Sequence, residues 1–168
     1  MTPGEQLVRL LTAAGRTVAV AESLTGGTVI DALVEVPGAS ACVRGGVVAY
    51  ATDLKADLLA VPVVLLERHG PVHPDVARAM ARGVARLLGA DYGVATTGVA
   101  GPDAQEGTPP GTFHVAVAGP THDDVRSVTG AGPGRSRVRR DARDAALRLA
   151  VGFIRADVEG TGEGPRML

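Results

Sequence analysis

The sequence predicts an α/β chain folded as a single domain, a three-layer α/β/α sandwich around a mixed β-sheet. β-rich and helical stretches alternate through the first half of the chain, as parallel strands joined by helices require. Three further β-rich runs then cluster late, where short turns allow antiparallel pairing. At 168 residues, 45% hydrophobic and net charge −1, the chain suits one domain with a real core.

The elements follow in order. Leu7, Leu10, Leu11 and Ala14 recur at helical spacing over residues 3–14, with Gly15 as the stop, and Thr17 to Ala21 is a short β-rich run. The polar segment Glu22-Ser23-Leu24-Thr25-Gly26-Gly27 breaks the pattern before a helix over Thr28 to Val36, ended by Pro37-Gly38. Gly45 to Tyr50 reads as a mostly buried strand and Asp53 to Leu59 as a turn or two of helix. Pro74 to Leu88 is an amphipathic helix with Val76, Met80, Val84 and Leu87 inward and Gly89 as its cap. Strands are expected at Tyr92 to Thr96, Thr112 to Ala118 and Asp124 to Val128, and a long helix from Arg135 to Arg155. The folded domain is expected over residues 1–157, with a disordered tail over 158–168 that is rich in glycine and poor in apolar residues.

Composition narrows the function. One cysteine, Cys42, excludes an internal disulfide framework and a cysteine-rich zinc site and fits a reducing, cytoplasmic setting. No amino-terminal leader pattern and no apolar run of about 20 residues is present, so no membrane partner is expected. Two Tyr, two Phe and no Trp leave little for base stacking, which with the charge argues against nucleic acid. His69 and His73 are four apart but separated by Gly70-Pro71, and His114 and His122 stand alone, so no metal site is expected.

Four constellations carry possible chemistry. Lys55 is the only lysine among seventeen basic residues, and a lysine, unlike an arginine, can lose its proton and act as a base. From the count alone, arginine-biased genomic composition with one leftover surface lysine is the simpler account. Ser23 to Gly27 puts hydroxyls and glycines at a strand-to-helix junction, where free N–H groups can hold an anion or oxyanion; the same residues are ordinary N-caps and turn formers. Thr96-Thr97-Gly98-Val99-Ala100-Gly101-Pro102 is a second polar junction at a strand end, where α/β folds collect ligands, or a plain glycine turn. The next stretch, Asp103 to Gly111, reads as an exposed, mobile loop. Arg135, Arg139 and Arg143 form a ridge at a helix start that suits a phosphate, or a solvated basic face balanced by Asp141 and Asp144.

Taken together, Ala21-Glu22-Ser23-Leu24-Thr25-Gly26-Gly27, Val36-Pro37-Gly38-Ala39-Ser40, Gly45-Gly46-Val47-Val48-Ala49-Tyr50, Lys55, Gly70-Pro71-Val72, Val76 to Ala81 and Thr97 to Pro102 resemble the CinA carboxy-terminal domain, the nicotinamide mononucleotide deamidase family. The likeness runs from about residue 4 to 155. It implies an α/β/α fold, hydrolysis of nicotinamide mononucleotide to nicotinic acid mononucleotide and ammonia, no cofactor or metal, a bacterial cytoplasmic setting, and a homodimer or higher homo-oligomer. By position it implies Ser23 as nucleophile, Lys55 and Tyr50 as base and relay, and Thr97 beside them. Thr25, Gly26, Gly27, Ser40, Gly98, Arg135 and Arg139 are the implied substrate contacts. The chain departs from the family pattern at His73, where a small serine is usual, at Asp103-Ala104-Gln105, and at Gly134. The competing readings are a non-catalytic regulatory or binding module linked to competence or DNA damage, and a serine–lysine amidase acting on another substrate.

Overall fold

The computed structural model describes residues 1–160. Helix α1 spans Pro3–Ala14, started by a reciprocal capping box between Thr2 and Glu5 and stopped by Gly15 in the left-handed conformation. Strand β1 (Val18–Glu22), helix α2 (Thr28–Val34), a 3-10 turn (Ala39–Ala41), strand β2 (Val43–Val48) and helix α3 (Thr52–Leu59) follow. Then come α4 (Val63–His69), α5 (Pro74–Leu88), β3 (Tyr92–Val99), β4 (Thr112–Ala118), β5 (Asp123–Val128) and α6 (Arg135–Gly160).

The sheet order is β2-β1-β3-β4-β5. Pairing is parallel between β2, β1 and β3 and antiparallel from β3 through β5, so the sheet is mixed as expected. Alternate side chains of the central strands feed two cores. Val18, Val20, Val94, Val115 and Val117 pack with α1, α2 and α6, while Ala19, Ala21, Ala95, Ala116 and Ala118 pack with α3, α4 and α5. The second face is built from alanine, so α5 lies very close to the sheet: a Cβ at Gly93 would overlap the Ala81 carbonyl oxygen of that helix.

Several expectations need correction. Strand β2 starts two residues before the expected position, ends at Val48, and is alternately half-buried and exposed, because it forms an edge of the sheet. Leu87 is 51% exposed. Ala77, Ala81 and Val84 form a buried stripe on α5, and one step of four further on the half-buried Leu88 makes the core contact instead. Helix α4, a short segment between Pro62 and Pro71, is not among the elements the sequence pattern predicts. Strand β3 continues to Val99, so Thr97 and Gly98 stand on a strand. The stretch after Pro102 contains a tight turn, with Gln105 and Thr108 exchanging backbone hydrogen bonds of 3.0 and 2.8 Å.

Helix α6 runs on to Gly160, five residues past the expected end, so residues 158–160 of the expected tail are helical. The Tyr92 hydroxyl, 2.6 Å from Asp157, ties this last part of the helix to the sheet. The rest of that tail lies outside the described residues. Among the described residues no helix is long and apolar enough to cross a membrane.

Candidate active site

The parallel strands β1 and β3 end side by side, and the Ser23 N–H donates to the Thr96 carbonyl oxygen at 3.1 Å. This puts Ser23 at the carboxyl edge of the sheet, where α/β folds open their clefts. Lys55 stands on α3, whose chain has just left β2 on the same side. Its side chain is 1% exposed and points inward to the end of β1.

Lys55 Nζ lies 3.2 Å from Ser23 Oγ, 2.8 Å from the Ala49 carbonyl oxygen and 3.3 Å from the Tyr50 carbonyl oxygen. Burial lowers the Lys55 pKa to about 8, against a smaller opposing pull from the Asp53 carboxylate. A neutral amine has two N–H bonds and one lone pair. In that form the two carbonyls take the N–H bonds, and the lone pair is left to accept the Ser23 proton.

The loop after Ser23 is not the open anion cradle expected from its sequence. Glu22, itself buried, accepts the backbone N–H groups of Gly27, Val29 and Ile30 at 3.0, 3.1 and 2.8 Å. The Gly26 and Thr28 N–H groups close turns onto Ser23 and Thr25 carbonyls at 3.1 and 3.3 Å. The protein's own carboxylate therefore fills the start of α2. Among the described residues, the N–H groups of Leu24 and Thr25 are the ones in this loop with no protein acceptor. In the sequence Glu22 stands only as part of a motif; an acidic residue at the end of a strand that reads as buried is the signal that finds it.

The expected substrate contacts divide. Thr25 is fully buried, its Oγ1 2.7 Å from Thr96 Oγ1, and Gly26 and Gly27 turn the chain at φ 59° and 99°. None of the three lines the cleft, which begins at Ser23 and Leu24. Ser40 is exposed on the 3-10 turn and lines a separate apolar groove with Ile30 and Val43, so it is not brought to Ser23. Thr97 and Gly98 do line the cleft, with Thr97 Oγ1 donating to the Pro71 carbonyl oxygen at 2.7 Å.

The two arginines also part ways. Arg139 donates from Nε to the Leu24 carbonyl at 3.0 Å and from a terminal nitrogen to the Thr25 carbonyl at 2.9 Å, so it grips the loop. Arg135 is exposed at the cleft mouth, donating to the Gly101 carbonyl at 2.8 Å and to the Tyr50 hydroxyl at 3.1 Å. Tyr50 is 60% exposed and its hydroxyl serves the rim, while its backbone carbonyl serves Lys55. The relay role expected of the Tyr50 hydroxyl has no place between Lys55 and Ser23, which touch directly. The cleft these groups enclose measures about 290 Å³, with Pro71, Val72 and Gly98 to Gln105 completing its walls.

His73, one of the departures from the family pattern, is the N-cap of α5. Its ring Nδ1 accepts the Asp75 N–H at 3.2 Å and caps α5, while the ring stacks on His69 with centroids 4.0 Å apart. His114, paired with Thr97 in the β3–β4 ladder, is held below the usual imidazole range by burial and then by His73. No group of three metal-ligating side chains is assembled among the described residues.

A family model described as the CinA C-terminal domain matches residues 2–154. A CinA-like protein of Frankia casuarinae is 47% identical over 92% of this chain and 36% of its own length. A putative competence-damage inducible protein of Desulforamulus reducens is 44% identical over 89% of this chain, again 36% of its own length. The chain thus spans about a third of the length of these curated relatives. Among solved structures, a CinA superfamily protein from Klebsiella pneumoniae 700603 superposes with a TM-score of 0.86 at 28% identity, covering 91% of this chain and 96% of that one. A CinA superfamily protein from Escherichia coli gives a TM-score of 0.86 at 29% identity, over 90% and 88%. Fold, motif order and match agree: the chain belongs to the CinA C-terminal domain family.

Proposed function

We propose that this chain is an amide hydrolase that converts nicotinamide mononucleotide to nicotinic acid mononucleotide and ammonia, with Ser23 as nucleophile and Lys55 as its base. One observation carries the reading: a buried lysine amine, its pKa lowered to about 8, sits 3.2 Å from a serine hydroxyl at the floor of a cleft.

The proton moves in a closed cycle. Lys55 Nζ takes the hydroxyl proton as Ser23 Oγ bonds to the carboxamide carbon, then gives that proton to the nitrogen as the C–N bond breaks and ammonia leaves. Water next attacks the Ser23 ester, passing a proton to Lys55, and the acid product departs as Ser23 regains its hydrogen. Of the two loop N–H groups without a protein acceptor, Leu24 is the one whose residue lines the cleft, and it is the donor left for the oxyanion; one well-aimed donor contributes about 3 kcal/mol to such a transition state. Arg135 at the mouth supplies the charge-assisted hydrogen bonds that a nucleotide phosphate needs.

Incubating the purified protein with nicotinamide mononucleotide, and following ammonia and the acid nucleotide together, tests the assignment. Equal release of both supports it. Release of neither rejects this substrate.

A further inference from the structure

Two charges of opposite sign hold the backbone that carries Ser23, one on each side. Glu22, 1% exposed, takes the N–H groups of Gly27, Val29 and Ile30. Arg139, reaching across from α6, takes the carbonyls of Leu24 and Thr25. The segment needs such support, because Gly26 and Gly27 have positive φ and no side chains to lock the turn. Lys55 is anchored independently by the Ala49 and Tyr50 carbonyls, so a loop shift of about 1 Å is enough to separate Ser23 from its base.

We propose that Glu22 and Arg139 are positioning residues that keep Ser23 in register with Lys55, and that Arg139 is not a substrate-binding cation. The proposal rests on the Ser23–Lys55 reading above. Turning Arg139 toward a ligand phosphate would release the Leu24 and Thr25 carbonyls, so substrate binding and loop alignment would compete for one guanidinium. In Glu22→Gln an amide NH2 replaces one acceptor oxygen and confronts a backbone donor, while size and packing stay nearly constant.

The test compares Glu22→Gln, Arg139→Ala and Arg139→Lys with Arg143→Ala, a control on the same helix whose side chain pairs with Asp144 at 2.8 Å. Backbone amide exchange is read first, since it needs no substrate. The amides of Gly27, Val29 and Ile30 are expected to exchange about tenfold faster or more in Glu22→Gln and Arg139→Ala, and at the parent rate in Arg143→Ala. With nicotinamide mononucleotide, Arg139→Ala is expected to lower kcat by about ten- to a hundredfold with KM within about twofold. Arg139→Lys should recover part of that loss, because an ammonium still reaches one carbonyl. Unchanged exchange in both loop variants, or a raised KM at parental kcat in Arg139→Ala, overturns the proposal. If the parent protein shows no turnover, the deamidase reading fails, and amide exchange alone decides the positioning role.

Discussion

Lys55 Nζ touches Ser23 Oγ at 3.2 Å while the carbonyl oxygens of Ala49 and Tyr50 take its other two hydrogen-bond directions. An amine placed this way has one direction free for chemistry, and that direction faces the serine. The cleft, the loop clamps and the rim arginine all acquire a role from this contact.

The reaction should switch on with rising pH. Lys55 is active when neutral, so kcat/KM should climb to a plateau with its midpoint near the Lys55 pKa of about 8. A flat profile between pH 6 and 10 would remove Lys55 as the base.

The same shift sets a stability slope. The folded-state pKa of about 8 lies below the ordinary lysine value of 10.5, so the unfolded chain binds more protons between those pH values. The cost of burying the ammonium is fully present below about pH 8 and is relieved as pH rises to about 10.5, in total on the order of 3 kcal/mol. Denaturant unfolding from pH 8 to 10 should show stability rising more steeply in the parent than in Lys55→Met.

The Tyr50 hydroxyl contacts Arg135 and not Lys55. Tyr50→Phe should therefore keep kcat within about threefold, since the carbonyl that anchors Lys55 remains. A loss of about a hundredfold in kcat, measured at saturating substrate, would restore the relay role.

Arg135 is exposed at the mouth, so Arg135→Ala should raise KM for nicotinamide mononucleotide by on the order of tenfold, the worth of a charge-assisted hydrogen bond. Kinetics with the dephosphorylated nucleoside should be unchanged by the same substitution. Equal effects on both substrates would mean that Arg135 shapes the rim without reading the phosphate.

His73 caps α5 through its ring nitrogen. His73→Ala should lower stability by about 1 kcal/mol, and His73→Ser should restore most of it, because a serine hydroxyl accepts the same backbone hydrogen. Chemical denaturation of the three proteins at neutral pH measures this.

Much of this architecture was legible in the sequence. Helical spacing with clear stops located α1 and α5, and the change from helix-linked to clustered strands foretold the mixed sheet. Lys55 stood out as the one lysine. What pattern reading missed lay in tertiary contacts. Nothing local says that β2 is an edge, that Leu88 and not Leu87 meets the core, or that the His73 ring caps α5. The start of α2 is closed to an outside anion by Glu22, one residue before Ser23, and the loop's other clamp, Arg139, comes from more than a hundred residues away. Arg135 and Arg139 look alike as a helix ridge, and only the fold separates the rim cation from the loop clamp.

The proposed chemistry rests on Ser23 attacking with Lys55 as its base. The most direct measurement is the initial rate of ammonia release from saturating nicotinamide mononucleotide at pH 8.5 or thereabouts, for the parent, Ser23→Ala and Lys55→Ala assayed side by side. Loss of about a thousandfold or more in each variant, with the fold intact by circular dichroism, is the predicted result. A Ser23→Ala protein working at the parental rate would contradict it and assign the attack to a water molecule.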